Sequence, residues 1–374
     1  TPADRANAEV SRAAAYDSIS VEHTNTRNDM SLRVAINGFG RMGRNIFRAL
    51  YTREDIEIVA INDIADPTAI EYLLRFDTLH GQLPDPVRIV DGALYARARR
   101  IPVTQFKSPG EIPWYQHGAD VVVEATGRYR SRDEIRKHLE AGADRVILTN
   151  APRDGLGDID GVYIRGVTRG PLAPEHRLLS CGTSTGNCTA VMLKILDDAF
   201  PVERAFFTSV HAYTNEQSLI DVPNSLDLRL SRAAMENIVP AKTWTPKLIE
   251  HWFPHLQGRF GGANLNVPVP DVSCVDLVTF HRGKVELNQV NEIFRSAAAS
   301  TYRDVLAFTD QPVVSSDAQG STASCVFDSL ATMKGGDNMM KTLGWYDQGG
   351  GLAHRVVDLI RAINESQRQK PRTS

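Results

Sequence analysis

Apolar and polar positions change their rhythm twice along the 374-residue chain. Residues 1–30 carry few large apolar side chains and are rich in Ala, Asn, Asp, Arg and Thr. They read as a mostly disordered extension with a short helix near Ser11 to Tyr16. Order is expected from Leu32. LRVAIN is a short apolar strand. GFGRMG follows, then a helical pattern through Arg53, then the apolar run IEIVAIND from Ile56 to Asp63. A helix at Thr68 to Arg75, a buried strand at Ala119 to Glu124, a helix at Arg132 to Ala141 and a strand at Arg145 to Thr149 continue the alternation. Strands and helices alternating in this way predict an α/β domain with a parallel, doubly wound sheet.

Past residue 190 the period shifts. A helix at Ala190 to Ala199 leads into ERAFFTSVHAY, ANLNVPV and VSCVDLVTFHRG, whose length and alternation predict a second, α+β domain on a mostly antiparallel sheet. In GLAHRVVDLIRAINE, Leu352, Val356, Leu359, Ile360 and Ile363 fall on one helical stripe, expected to pack back onto the first domain. The expected organisation is an extension (1–30), a nucleotide-binding domain (31–180, completed by helix 349–366) and a substrate domain (181–348).

Composition narrows the functions open to this fold. Apolar residues at 42% and charged residues at 23% describe an ordinary globular protein. A net charge of −3 gives no electrostatic reason for nucleic acid or an anionic membrane as partner. No apolar run is long enough to span a bilayer, and the N-terminus lacks the apolar core of a signal peptide. Four cysteines without CxxC or regular spacing argue against a disulfide or zinc framework, so no metal and a cytoplasmic location are expected.

The first strand-to-helix turn carries the strongest chemical signal. Gly38, Gly40 and Gly43 form GxGxxG after a strand and at the opening of a helix, and Asp63 ends the next strand 20 residues past Gly43. Glycines there permit a tight turn, close approach of a pyrophosphate and close helix–sheet packing. Asp63 would accept the adenine ribose hydroxyls and repel a 2′-phosphate. This Rossmann fingerprint points to NAD.

Longer motifs then extend over most of the chain: VAINGFGRMGRNIFRAL, VAINDIADP, EYLLRFDTLHG, VVVEATGRY, HLEAGADRVILTNAP, SVHAYTNEQ, NIVPAKT, VPVPDVSCVDLV and the WYD at Trp345 to Asp347. From about Leu32 to Glu365 the sequence resembles the glyceraldehyde-3-phosphate dehydrogenase family, including its erythrose-4-phosphate dehydrogenase branch. The resemblance implies the two-domain fold, NAD, a small-molecule substrate and a homotetramer. It also implies that residues 1 to 29 are extra, since Met30 begins the stretch MSLRVAING. The cofactor contacts it implies are Gly38, Phe39, Gly40, Arg41, Met42, Gly43 and Asp63, with Thr126, Gly127 and Gln348.

The opening question of chemistry is the nucleophile. The family motif S-N-A-S-C-T-T-N-C-L-A-P, laid without a gap on SCGTSTGNCTAV, brings Asn187, Cys188 and Ala190 into register and puts Ser184 at the nucleophile position. His211, in VHAYT, lies 27 residues past Ser184, the family's spacing for its catalytic histidine. Cys181 is the alternative nucleophile, at the cost of an insertion before the helix. Cys188 reads as a small buried residue. A serine hydroxyl is much less acidic than a thiol and a poorer leaving group, so an acyl-enzyme route is disfavoured.

Substrate positions change as well. Leu230 and Asn266 stand where the resemblance implies phosphate-binding arginines, and Trp244 replaces a glycine. Thr183, Thr185, Thr214 and Thr243 remain as hydroxyls. Lys242 or Lys247 would restore only a point charge. Gln348 replaces an asparagine that holds the nicotinamide carboxamide, and Leu352 a tyrosine beside the ring. The expected pocket has Leu230 and Trp244 as an apolar wall, with Thr185, Thr214, Thr243 and Asn266 as neutral hydrogen-bonding groups. Three functions follow: an NAD-dependent oxidoreductase on a non-phosphorylated carbonyl, alcohol or aldehyde; an NAD-binding pseudoenzyme; or a phosphorylating dehydrogenase using Cys181.

Overall fold

The structure is a computed structural model that describes residues 31–224 and 227–368, so the extension expected at 1–30, with its short helix, lies outside the described residues. The first half of the chain runs β1 (Leu32–Asn37), α1 (Arg41–Leu50), β2 (Ile56–Asn62), α2 (Pro67–Arg75), β3 (Phe76–Asp77), β4 (Gly81–Gln82), β5 (Val87–Val90), β6 (Ala93–Ala96), β7 (Arg99–Thr104), α3 (Trp114–His117), β8 (Val121–Glu124), α4 (Arg132–Glu140), β9 (Arg145–Leu148), β10 (Gly161–Val162) and β11 (Leu178–Ser180). Nine of these strands form one sheet in the order β10-β11-β9-β8-β1-β2-β7-β6-β5. β1 pairs in parallel with β2 on one side and β8 on the other. The connections therefore run in opposite directions from β1 and leave a crevice beyond its C-terminal end, the place where open α/β sheets bind ligands.

The second half runs α5 (Ser184–Ala199), β12 (Val202–Ala212), β13 (Val239–Ala241), α6 (Thr245–Trp252), β14 (Phe260–Val267), β15 (Ser273–His281), α7 (Leu287–Ala299), β16 (Leu306–Thr309), β17 (Cys325–Gly335), β18 (Met339–Tyr346) and α8 (Gly350–Arg368). Its seven strands form a separate sheet, β13-β14-β12-β15-β18-β17-β16. Four pairings are antiparallel, while β12–β14 and β16–β17 are parallel. The expected fold class is borne out: a doubly wound sheet plus a mostly antiparallel one.

Two helices link the halves. α8 returns the stripe Leu352, Val356, Leu359, Ile360 and Ile363 into the same core as Leu32, Val34, Ile36 and Phe47. α5 is buried along most of its length and packs with Phe207, Val275 and Phe327 of the second sheet. It starts at Ser184, six residues before the helix expected from the sequence. Its Ser, Thr and Asn residues, typical of loops, here satisfy the helix start. Thr183 Oγ1 accepts from Gly186 N at 3.1 Å, Thr189 Oγ1 donates to Thr185 O at 2.8 Å, and Asn187 Nδ2 donates to Cys181 O at 2.7 Å. A cap of this kind is worth about 1 kcal/mol.

Candidate functional site

β1 delivers the chain to the crevice at Asn37, and the turn through Gly38 and Phe39 enters α1 with Gly40 as a cap that has no side chain to offer. The first-turn N–H groups of α1 are left for a ligand. Packing fixes two of the glycines. A Cβ on Gly43 would lie 2.1 Å from Gly38 O, and one on Gly38, at φ +92°, would lie 2.6 Å from Thr126 N. Gly40 differs: a Cβ there would meet no protein atom within 4 Å, and the residue lines a cavity of about 810 Å³. The missing side chain leaves room for a bound group at a helix N-terminus, which fits a pyrophosphate.

Asp63 lines the same cavity. Its Oδ2 accepts from Phe39 N and its Oδ1 from Ala65 N at 2.8 Å, so the carboxylate is held against the glycine turn with lone pairs left for ribose hydroxyls. Arg41, Met42, Thr126 and Gly127 line the cavity too, whereas Phe39 and Gly43 shape it from behind.

Beneath the crevice lies a buried polar network that sequence reasoning missed. Glu124 ends β8 and is fully buried; it accepts from Asn37 Nδ2 (2.6 Å), Thr126 N (2.8 Å), the Thr126 hydroxyl and His138 Nε2 (3.0 Å). Trp114 Nε1 donates to His138 Nδ1 at 2.9 Å, so that imidazole is neutral and carries its proton on Nε2. Asn62 Nδ2 donates to Asn37 Oδ1 at 2.9 Å, tying the ends of β1 and β2 together. Four donors thus compensate one buried carboxylate. Thr126 spends its hydroxyl on Glu124 and takes Arg128 N at 3.1 Å, so it sets the turn more than it reaches outward. An Asn closing each of two adjacent apolar strands was the available signal.

At the other end of the cavity stand Thr183, Ser184, His211, Thr214 and Gln348. Ser184 is the first residue of α5, so its hydroxyl sits in the positive field of a sixteen-residue helix. The period of β12 explains His211: Ala205, Phe207 and Ser209 face inward, and His211 continues that face at the strand's open end. His211 Nδ1–H donates to Ala212 O at 2.7 Å, which leaves Nε2 as the basic atom. Burial lowers its pKa, so the imidazole is neutral near pH 7. Gln348 is buried; its Nε2 donates to Ser273 Oγ (2.9 Å) and Ala212 O (3.2 Å), and its Oε1 accepts from Arg41 at 3.4 Å.

Several expected positions fall elsewhere. Cys181 is fully buried in the core of the first sheet, where burial raises its thiol to about 12. A thiol so placed is packed away from the cavity, which Ser184 lines. Thr185 is buried with its Oγ1 2.7 Å from the Tyr346 hydroxyl. Asn266 is buried, donating to Gln217 Oε1 at 2.7 Å and accepting from Asn264 at 2.8 Å. Thr243 donates to Thr245 Oγ1 at 3.2 Å. Trp244 caps α6 and stacks under Lys247, whose Nζ lies 4.6 Å from the ring centre, and Leu230 sits half-buried in a 3₁₀ turn. None of these five, Leu230 and Trp244 included, lines the cavity. The wall beyond His211 is instead Tyr213, Thr214, Asn215, Glu216 and Gln217. Linear motifs supplied residue types but not the directions in which these side chains turn.

Comparison with known proteins agrees with this architecture. The family model described as the NAD binding domain of glyceraldehyde 3-phosphate dehydrogenase matches residues 32–132, and that of the C-terminal domain matches residues 180–348. The glyceraldehyde-3-phosphate dehydrogenase of Geobacillus stearothermophilus is 39% identical over 335 residues, covering 89% of this chain and 98% of the relative. Glyceraldehyde-3-phosphate dehydrogenase 2 of Bacillus subtilis is 40% identical over 335 residues, covering 89% and 97%. The protein of the same name from Streptomyces arenae is 40% identical over 339 residues, covering 90% and 100%.

Proposed function

The chain belongs to the glyceraldehyde 3-phosphate dehydrogenase family with NAD as its cofactor, and on that premise we propose an oxidoreductase whose substrate carries no phosphate. It interconverts a carbonyl and an alcohol, or oxidises an aldehyde through the hydrate that water forms with it. The observation that carries this reading is the absence of cationic side chains at Leu230 and Asn266. Tyr213, Thr214, Asn215 and Gln217 line the cavity beyond His211 with hydroxyl and amide groups, within a motif shared with that family. Leu230 and Asn266 occupy the positions where the family resemblance implies arginines.

When bound, NAD supplies a two-electron acceptor or, reduced, a donor. The glycine turn, the start of α1 and Asp63 hold its adenosine and pyrophosphate portions. His211 Nε2 holds the proton of the substrate oxygen as general base, or returns it as general acid. Among the described residues the Ser184 hydroxyl has no hydrogen-bonded base, so it serves as a donor to the substrate oxygen rather than as an attacking alkoxide. Leu219, Ile220, Leu228, Met235 and Ile238 are exposed apolar side chains on the segment that also walls the cavity, which supports a homo-oligomer, and we take this to be a tetramer. Among the described residues no helix is long and apolar enough to cross a membrane. Four free cysteines support a cytoplasmic setting.

The test is a panel of neutral aldehydes, ketones and alcohols assayed with NAD and NADH. Turnover that falls at least about 10²-fold in His211→Ala and survives in Ser184→Ala supports the reading. Loss in Ser184→Ala of all turnover would place a serine acyl-enzyme in its stead. NAD binding with no turnover across the panel would leave an NAD-binding pseudoenzyme.

A further inference from the structure

Ser273, Ala212, Gln348 and His211 close a ring of hydrogen bonds that no catalytic step requires. Ser273 Oγ accepts from Ala212 N at 3.0 Å and from Gln348 Nε2 at 2.9 Å, which uses both of its lone pairs. Ala212 O accepts from His211 Nδ1 at 2.7 Å and from Gln348 Nε2 at 3.2 Å. The orientation of the Gln348 amide is settled by its surroundings. Turned over, its oxygen would face the Ala212 carbonyl, and its NH₂ would face the Arg41 guanidinium that now donates to Oε1 at 3.4 Å. Ser273 and Gln348 are both buried, so water does not substitute for either partner.

We propose that Ser273 and Gln348 are positioning residues that fix the tautomer of His211, with Gln348 folded back onto the histidine rather than extended into the cavity. Gln348 Nε2 lies 3.2 Å from His211 Nδ1. Left to itself, that NH₂ would donate into Nδ1 and drive the proton to Nε2, the atom that must stay free. Ser273 Oγ and Ala212 O take both amide hydrogens, so Nδ1 keeps its own proton and gives it to Ala212 O. Ser273 also holds the Ala212 peptide through its N–H, which aims that carbonyl at the ring. The ring lies next to backbone strain: Val272, directly before Ser273, has φ +58°, a conformation that a β-branched residue adopts only where its surroundings impose it. The inference rests on His211 as the acid–base group, but it concerns the resting state of the ring and can fail independently of turnover.

The experiment is imidazole nitrogen NMR on the full chain labelled at histidine, with NAD affinity measured in parallel. Wild type should show His211 mainly in the Nδ1–H form. Ser273→Ala frees one amide hydrogen of Gln348, and the Nε2–H population should rise at least about fivefold, the effect of one net hydrogen bond. Ser273→Ala/Gln348→Met removes that donor and should return the ring to Nδ1–H, a rescue that a merely structural role does not give. If Ser273→Ala fails to fold, Ser273→Cys, close in size and a weaker acceptor, should shift the tautomer the same way by less. An unchanged tautomer ratio in a folded Ser273 variant overturns the proposal, as does a wild-type ring in the Nε2–H form. Neither result bears on whether His211→Ala abolishes turnover, so the two readings are judged separately.

Discussion

Cys181 and Ser184 are three residues apart and face different compartments: Cys181 is sealed in the core with Leu32 and Val356, and Ser184 lines the cavity with His211. Gly182, at φ +76°, makes the chain reversal between them, and Thr183 then caps the helix that Ser184 begins. This relationship makes the protein's thiol chemistry testable. All four cysteines are buried, and burial raises Cys181 to about 12 and Cys274 to about 11. Native protein treated with iodoacetamide near about pH 8 should lose no thiol rapidly, while denatured protein should yield all four. A single fast-reacting native thiol would show a second, accessible arrangement of the 181–188 segment.

Asp63 predicts cofactor choice. Its carboxylate is fixed by Phe39 N and Ala65 N at the cavity wall, where a 2′-phosphate would face it. NAD should bind at least about tenfold more tightly than NADP, about 1.4 kcal/mol. Titration calorimetry checks this, and Asp63→Ala should narrow the gap mainly by weakening NAD.

Gly43→Ala should be costly because its Cβ has no room: it would lie 2.1 Å from the Gly38 carbonyl oxygen. The backbone of the glycine turn must shift, with a loss of about 1–3 kcal/mol in denaturant unfolding and weaker NAD binding. Gly40→Ala meets no protein atom, so its stability should stay near wild type while NAD affinity falls. Comparing the two variants separates packing glycines from the ligand-facing one.

Stability should fall on the acid side of neutrality. Burial lowers the pKa of His211, His281 and His117 below the value near about 6.5 that they have when unfolded. The unfolded chain therefore binds more protons as pH drops. The stability these rings contribute as neutral groups is complete above about 6.5 and is lost as pH falls from there through their folded values. Urea midpoints between about pH 7 and pH 5 should decline, and less steeply in His211→Gln.

The fold was legible where one local signal dominated. β1, α1 and β2 follow from apolar runs around a glycine turn, and α8 from its single stripe. The hairpin of β5 and β6 was not read, although its two-residue turn, Asp91–Gly92 with φ +48° and +68°, was a signal in the sequence. Arginines scattered through ARARRIPV blurred the alternation around it. α5 was read too short because capping residues look like loop residues until the helix they cap is known. In the site, Asp63 follows from its place at a strand end, and His211 from its motif and its 27-residue spacing past Ser184. Thr185, Asn266 and Trp244 were assigned by motif alone, and their partners Tyr346, Gln217 and Lys247 are distant in sequence or act through three dimensions.

The central claim is that this cavity transfers reducing equivalents on a substrate without phosphate. The most direct measurement compares matched pairs, each neutral aldehyde against its phosphate ester, beginning with glyceraldehyde and glyceraldehyde 3-phosphate, by NADH formation with NAD in the presence and absence of inorganic phosphate. The account predicts a kcat/KM for the preferred neutral compound at least about tenfold above that of its phosphate ester, independent of inorganic phosphate and lost in His211→Ala. Robust turnover of glyceraldehyde 3-phosphate that requires inorganic phosphate would contradict it.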